Sequence, residues 1–332
     1  MRLKKTLLVL TGLFTAAFLS LGYAGVYKCK TPEGQPVFQD RPCPNSANII
    51  TQEGADKEAV VRSNQHFLWK ASSKVNTIHL FGSIHFGSTE MYPLPDVVTK
   101  AYDSSDALIV EVNTRQADRE AMAMTLMQSG SYPEGETAQT HLSPETWEQL
   151  ARAAKKQRLD LQKLQSQKPW LIALSLATLA IQKSGFSPEF GIDQYFITGA
   201  EGKKPILELE NAEQQMNLLS TFSMVEQNRF LKETLDQLDQ ATTYFRSLLE
   251  AWQTGDASRL KDLVQSEIDT DPDAKKLYDA LFTKRNHTIT DKIIKLSESG
   301  ENYFVVVGAG HLVGDEGIVE LLRGRGYEVT QL

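Results

Sequence analysis

Four short apolar runs recur along a chain whose remaining stretches are largely polar or amphipathic. Each is partly β-branched, and together they cover residues 77–81, 107–110, 205–207 and 303–307. Short apolar runs of this composition are typical of buried β-strands. We therefore predict four strands that belong to one sheet.

Each predicted strand is followed by a histidine or a glutamate, side chains that can bind metals or transfer protons. The first and the last are followed by the same Gly-x-x-His pattern, at Gly82–His85 and Gly308–His311. The second ends in Glu111, and the third continues through Glu208 to Glu210. In open α/β sheets the ligand crevice lies beyond the carboxyl ends of the strands, so we expect these histidines and glutamates to meet there.

Between the predicted strands the pattern favours helices. The Ser143-Pro144 pair is a helix start signal, and this helix is predicted over residues 144–167. Residues 169–183 are rich in Leu and Ala and predict a buried helix, while residues 212–253 contain neither glycine nor proline. Residues 291–297 belong to the last predicted helix before the final motif strand. The expected fold class is α/β, or α+β, with a mixed sheet core and a large helical insertion.

The chain begins with the three parts of a secretory signal. Basic residues at positions 2, 4 and 5 are followed by the apolar run Thr6 to Leu21 and then by Gly22-Tyr23-Ala24. We predict that residues 1–24 are a signal peptide cleaved after Ala24. The alternative is an uncleaved membrane anchor, which is disfavoured because the apolar run is shorter than the roughly 20 residues that a bilayer span needs.

Composition and charge narrow the possible partners. The 332 residues are 41% hydrophobic, which is typical of a globular protein. The formal net charge is −7, and signal cleavage changes it to −10 because three basic residues and no acidic one are removed. An acidic chain without basic runs argues against nucleic acid as a partner. We expect no membrane span after signal cleavage, and a soluble protein in the periplasm or outside the cell.

A small β-hairpin module is predicted over residues 25–45. Two short strand-like runs flank a Pro/Gly turn at residues 31–34. Residues 46–65 are polar and without periodicity, and we interpret them as a linker. The main domain is then predicted to cover residues 66–332.

The chain contains two cysteines, Cys29 and Cys43, both near the predicted cleavage site. Because an exported protein enters an oxidising compartment, we predict a disulfide between them. A bridge that closes so short a loop contributes roughly 3 kcal/mol in the chain-entropy model. The alternatives are two free thiols or half of a metal site.

The doubled Gly-x-x-His pattern and the glutamates suit metal chemistry. Imidazole and carboxylate together favour a borderline or hard divalent cation such as Zn, Mn, Co or Fe. Such a cation lowers the pKa of a coordinated water and polarises a carbonyl group, which are the two tasks of amide or ester hydrolysis. Gly82, Gly308 and Gly310 allow the backbone to turn sharply and approach a ligand closely.

Other patterns in the sequence are interpreted as structural. Four further histidines are expected at the surface or in the core: His66, His79, His141 and His287. Glycines 308, 310 and 314 also resemble a dinucleotide-binding loop, with Glu328 at a suitable spacing. We expect no such site, because the sequence ends at Leu332, too soon for the second half of that fold.

Several blocks of the chain occur in the same order in one known family. They are Leu80–Gly87, Met91–Pro95, Ser105–Glu111, Gly191–Asp193, Arg285-Asn286 and Tyr303–Gly314. From about Phe67 to Leu332 the chain resembles the TraB/GumN family, which also includes the pheromone-shutdown proteins and the animal Tiki proteases. Residues 26–44 resemble the small DUF4124 module found near the start of many exported bacterial proteins.

The resemblance implies a metal-dependent, peptidase-like site. It implies that His85 and His311, from the two Gly-x-x-His motifs, belong to this site and that Glu111 is their acidic partner. It also places Arg285 and Asn286 at motif positions of the family.

The third strand departs from the family pattern. Where the family usually has Gly-Leu-Glu-Thr, this chain has Glu208-Leu209-Glu210-Asn211. Glu210 takes the position of the family glutamate, and Glu208 replaces a glycine.

The resulting hypothesis is that a divalent cation (Mn, Co or Zn) activates water for the hydrolysis of a peptide or protein substrate. Its expected ligands are His85, Glu111, Glu210 and His311. If the cation needs only three protein donors, Glu111 or Glu210 would act as the general base instead.

Arg285, with Asn286, would steady the developing oxyanion. The alternative for Arg285 is a structural salt bridge. Two rival functions stay open: a non-catalytic binder that sequesters a peptide or an envelope component in the same crevice, and an assembly role for the N-terminal module. The sequence does not indicate an oligomeric state.

Overall fold

The computed structural model describes residues 27–30, 36–39, 65–115, 119–265 and 271–332. The described strands are β1 (Tyr27–Lys30), β2 (Pro36–Gln39), β3 (Leu68–Ser72), β4 (Thr77–Ser83), β5 (Ala107–Val110), β6 (Ile206–Glu208), β7 (Tyr303–Gly308) and β8 (Glu328–Gln331). The four predicted motif strands correspond to β4, β5, β6 and β7.

Six strands form one mixed sheet in the order β6-β5-β7-β4-β3-β8. The four motif strands are mutually parallel neighbours, and β3 pairs antiparallel with both β4 and β8. The register places Ser83 beside Gly308 and Val110 beside Glu208, so these strands end at one edge. The predicted mixed sheet core is confirmed, and β3 and β8 extend it beyond the four motif strands.

Helices fill the long connections between β5, β6 and β7. In chain order, the described α-helices are α1 (Asp96–Asp103), α2 (Arg119–Gly130), α3 (Ala138–His141), α4 (Pro144–Gln157), α5 (Leu161–Gln165), α6 (Pro169–Lys183), α7 (Ile192–Ala200), α8 (Ala212–Ser220), α9 (Met224–Gln237), α10 (Ala241–Gln253), α11 (Ala257–Gln265), α12 (Pro272–Tyr278), α13 (Lys284–Ser297) and α14 (Ile318–Gly324). This confirms the predicted large helical insertion.

One predicted helix has the right bounds, and another is shorter than predicted. Helix α6 matches residues 169–183, and its Ala- and Leu-rich sequence is buried on most sides, as predicted. The helix predicted over residues 144–167 is interrupted at Arg158, whose left-handed φ of 60° ends α4. The long run from residue 212 is also divided, because Ser223 and Glu226 form a capping box that starts α9.

Part of the N-terminal prediction lies within the described residues. Strands β1 and β2 pair antiparallel, with Tyr27 opposite Gln39 and Lys30 opposite Pro36, as expected for the hairpin. The signal peptide, the linker as far as residue 64 and Cys43 lie outside the described residues, as does the side chain of Cys29. The predicted disulfide therefore stays a prediction. Among the helices that the structure describes, none combines the length and the hydropathy needed to cross a bilayer.

The loop that follows β4 is fixed by a close backbone contact. Gly87 exchanges two backbone hydrogen bonds with Ser187, of 2.9 and 2.8 Å. A Cβ atom on Gly87 would lie 1.9 Å from the carbonyl oxygen of Phe190, so only glycine fits here. This contact joins the segment that carries His85 to the segment that leads into α7.

We expect Gly87→Ala to lower the free energy of unfolding by about 1–3 kcal/mol, because the new methyl group forces the two segments apart. Urea denaturation measures the change. Gly324→Ala is the matched control, since its Cβ would meet nothing within 4 Å. Equal stability of the Gly87→Ala variant and wild type would contradict the prediction.

Candidate functional site

The ends of the four parallel strands bring the predicted site residues together. Glu111 directly follows β5, and His85 lies two residues beyond β4. His311 ends the 3-10 helix Ala309–His311 that continues from β7. Glu210 lies two residues beyond β6, where its backbone N–H donates to the Glu111 carbonyl at 2.8 Å. The expected convergence at one sheet edge is therefore present.

Two of these carboxylates share one arginine. Arg285 Nη2 donates to Oε2 of Glu111 at 2.9 Å and to Oε2 of Glu210 at 2.5 Å, and its Nε donates to Oε1 of Glu210 at 2.8 Å. Its Nη1 donates to the carbonyl of Leu281, within the π-helical turn Asp279–Thr283 just before α13. The three charged side chains are only 9–12% exposed. Arg285 is thus the cation of a buried charge cluster.

The electrostatics keep Glu111 ionised. Burial works to raise the pKa of Glu111, but the charges of His311 in its protonated form, of Arg285 and of His85 together hold it below its usual value. The backbone N–H of Gly308 also donates to Glu111 Oε1 at 2.6 Å. A carboxylate that accepts such hydrogen bonds is stabilised in its charged form.

His311 is held by an amide. The Asn286 side chain donates through Nδ2 to the Glu316 carbonyl at 2.7 Å, so its Oδ1 faces His311 Nδ1 at 2.5 Å. An amide oxygen only accepts, which assigns the donated hydrogen to Nδ1 of the imidazole. Burial and the Arg285 charge lower the pKa of His311 to about 4, so the ring is neutral at neutral pH. Its Nε2 then carries a lone pair, 3.8 Å from Glu111 Oε1.

His85 is held by a carboxylate. Its Nδ1 lies 2.6 Å from Asp193 Oδ2, and both side chains are largely buried. Burial alone would lower the pKa of His85, but Asp193 outweighs it and raises the pKa to about 9. Gly191 makes this approach possible, because a Cβ there would lie 2.3 Å from the His85 carbonyl oxygen. Ile192 N–H donates to the Ile84 carbonyl at 3.0 Å and fixes the same contact.

The two imidazoles and Glu111 face one point beside Gly308. A Cβ atom on Gly308 would lie 3.4 Å from Glu111 Oε1, 3.4 Å from His311 Cδ2 and 3.9 Å from His85 Nε2. Gly308 therefore leaves open the space towards which these side chains converge. This is the physical role that the sequence suggested for the glycine of the motif.

The donor chemistry fits a divalent cation, although the spacing is not that of a ready-made site. Both histidines direct Nδ1 to an oxygen acceptor, the arrangement that orients Nε2 in metal-binding histidines. Within the described ranges, however, no three His, Cys, Asp or Glu side chains are close enough together to hold a metal ion as they stand. Glu210 fits less well than Glu111, because Arg285 contacts both its carboxylate oxygens.

The site also contains residues whose part in it is not apparent from the sequence. Asp193 belongs to the Gly191–Asp193 block, but the sequence does not indicate its partner, because His85 lies 108 positions away. Gln215 belongs to none of the sequence motifs, yet its Nε2 donates to Glu111 Oε2 at 3.0 Å and to Glu210 Oε2 at 2.8 Å. Glu208, by contrast, is exposed and accepts from the backbone N–H of Asn113.

The remaining histidines lie away from this cluster. His141 stacks on Tyr132 and pairs with Glu136, and His287 pairs with Glu316 at the surface. Both contacts agree with the structural roles expected for these two residues.

We expect Arg285→Met to lower the free energy of unfolding by about 3–5 kcal/mol, because it leaves two buried carboxylates without their cation. Adding Glu210→Gln to this variant should recover part of the loss, since one of the uncompensated charges is removed. Chemical denaturation of both variants gives the two values. Arg152→Met, at an exposed arginine, is the control and should leave stability nearly unchanged. A loss no larger than that of the control would contradict the prediction.

Known families and proteins match most of the chain. The model of the TraB/PrgY/gumN family matches residues 67–331, and that of DUF4124, a domain of unknown function, matches residues 13–64. The uncharacterized protein YbaP of Escherichia coli (strain K12) is 29% identical over 272 residues, which cover 80% of this chain and 96% of YbaP. An uncharacterized protein of Treponema pallidum (strain Nichols) is 22% identical over 278 residues, covering 80% of this chain and 83% of that protein. No solved structure matches the chain. Because the first family model accounts for most of the sequence, the chain belongs to the TraB/PrgY/gumN family.

Proposed function

We propose that this protein is an exported, divalent-metal-dependent hydrolase of peptide bonds. One observation carries the proposal: two histidines at adjacent strand ends each have Nδ1 bound to an oxygen acceptor, on Asp193 and on Asn286. In both rings Nε2 is the atom left to bind a cation, which at His85 would displace the proton that a pKa of about 9 keeps on the ring. Glu111 Oε1 supplies the carboxylate next to them.

The proposal narrows the ligand set predicted from the sequence. His85, His311 and Glu111 are the proposed ligands, which suits a catalytic site with three protein donors and an open position. Glu210 is assigned instead to the pair with Arg285, because that guanidinium contacts both its oxygens. The cation, Mn, Co or Zn, would activate water and polarise the substrate carbonyl.

The chain's own residues then have distinct tasks. Asp193 and Asn286 orient the two imidazoles. Arg285 compensates the charge of the two glutamates, which favours the salt-bridge alternative over a role in binding an oxyanion. The proposed substrate is a peptide or protein.

Metal removal and replacement test the proposal. The mature protein is stripped with a chelator, reloaded with Mn²⁺, Co²⁺ or Zn²⁺, and incubated with a peptide library whose products are read by mass spectrometry. We expect cleavage that depends on metal and is lost in His85→Ala and His311→Ala. His141→Ala removes a histidine outside the cluster and should retain activity.

Three results would speak against it. Absence of tightly bound metal from wild type, or metal retained undiminished in both histidine variants, would refute the metal site. Stoichiometric peptide binding without turnover after metal repletion would support the rival function of a non-catalytic binder.

Export is the second part of the proposal, and it is supported by the basic, apolar and small-residue segments of residues 1–24. We expect protein isolated from the periplasm or medium to begin at Gly25. We also expect Cys29 and Cys43 to react with a thiol reagent only after reduction. Intact mass and thiol counting measure both outcomes. An N-terminus at Met1 would contradict cleavage, and two reactive thiols before reduction would contradict the disulfide.

A further inference from the structure

The side chains of Glu111 and Glu210 lie next to each other although their strands are far apart in sequence. The chain beyond β6 runs beside the end of β5, where Leu209 N–H donates to the Val110 carbonyl at 2.9 Å and Glu210 N–H donates to Glu111. This places two negative charges side by side in a region where both are about nine-tenths buried. Like charges so placed repel unless donors separate them.

Two donors contact the same pair of oxygens. Arg285 Nη2 and Gln215 Nε2 each donate to Oε2 of both glutamates. A glutamine amide has two N–H groups, so Gln215 can direct one to each carboxylate. The amide orientation is fixed as well, because a carbonyl oxygen in this position would face two anionic oxygens.

The local sequence explains how Gln215 reaches this position. Asn211 follows Glu210 directly and starts α8, its Oδ1 accepting from the Gln214 backbone N–H at 2.7 Å. Gln215 N–H also donates to the Asn211 carbonyl at 3.3 Å. The helix therefore begins at Ala212, two residues after Glu210, and its first turn brings Gln215 back over the glutamate pair. Gln215 is 7% exposed, whereas its neighbour Gln214 is exposed to solvent.

The donors leave only one oxygen of Glu111 facing the histidines. Oε2 is occupied by Arg285 and Gln215, while Oε1 accepts from Gly308 and lies 3.8 Å from His311 Nε2. Because Gln215 is neutral, the two glutamates and Arg285 keep a net charge of −1. A lysine or arginine at position 215 would remove this charge, and an apolar residue would leave Oε2 with one donor fewer.

We propose that Gln215 is a positioning residue that holds Glu111 so that a cation is bound through Oε1 alone. The inference rests on the proposed function, because it assigns Gln215 a task in the same cation site. Outer-shell partners of metal ligands typically contribute 10–100-fold to metal affinity.

The experiment compares Gln215→Met, which retains the length of the side chain but has no N–H donor, with Gln214→Met on the exposed face of the same helix. Full-length mature protein is freed of metal and titrated with Co²⁺, and the dissociation constant, the visible spectrum of bound Co²⁺ and the melting temperature are measured. We expect Gln215→Met to weaken Co²⁺ binding 10–100-fold and to change the spectrum, because Glu111 is free to ligate differently. Gln214→Met should match wild type in all three measurements.

The outcomes separate this inference from the proposed function. Co²⁺ binding by wild type together with an unchanged dissociation constant and spectrum in Gln215→Met overturns the role of Gln215 alone. Absence of Co²⁺ binding by wild type overturns the proposed function and this inference with it. If Gln215→Met does not fold, Gln215→Asn replaces it, since its amide is too short to reach both glutamates. Binding equal to wild type in Gln215→Asn likewise overturns the inference.

Discussion

The guanidinium of Arg285 compensates two carboxylates that the sheet places side by side. Parallel strands β5 and β6 end next to each other, so Glu111 and Glu210 are brought together by the backbone whatever their charges. Isolated carboxylates in so buried a position would be strongly disfavoured. Arg285 removes this penalty through hydrogen bonds to both, and Gln215 adds a neutral donor to each. The strand ends can therefore remain ionised next to the two histidines.

The two histidines are oriented by different hydrogen-bond partners, and in both cases the partner binds Nδ1. Asp193 lies in the first turn of α7. Gly87, in the loop after β4, and Gly191, just before α7, permit backbone contacts that a Cβ atom would prevent. Asn286 comes from α13, and its own orientation is fixed by the Glu316 carbonyl. Each partner binds Nδ1 and leaves Nε2 on the other side of the ring, beside Gly308 for His85 and 3.8 Å from Glu111 Oε1 for His311. The helical insertion therefore supplies the partners that orient the groups at the strand ends.

Most of the fold could be predicted from local features of the sequence. Short apolar, β-branched runs predict strands because burial on both faces of a parallel sheet requires apolar side chains at every position. The ends of helices were harder to predict. Arg158 ends a helix by adopting a left-handed conformation, and Ser223 starts a new helix within a run that contains neither glycine nor proline. The capping box of Ser223 and Glu226 was the one available signal for the second break.

Local composition is enough to predict the four parallel strands and the residues at their ends, and the rule that ligands bind beyond strand carboxyl ends predicts where those residues meet. Strands β3 and β8 were not predicted. The contacts of each side chain, by contrast, depend on the tertiary structure. Arg285 is 174 positions from Glu111 and 75 from Glu210, and Asp193 is 108 from His85. Hydrogen-bond partners at such separations are selected by packing and not by local pattern. That is why Glu210 became an arginine partner, Asn286 an orienting amide, and Gln215 a part of the site that no motif indicated.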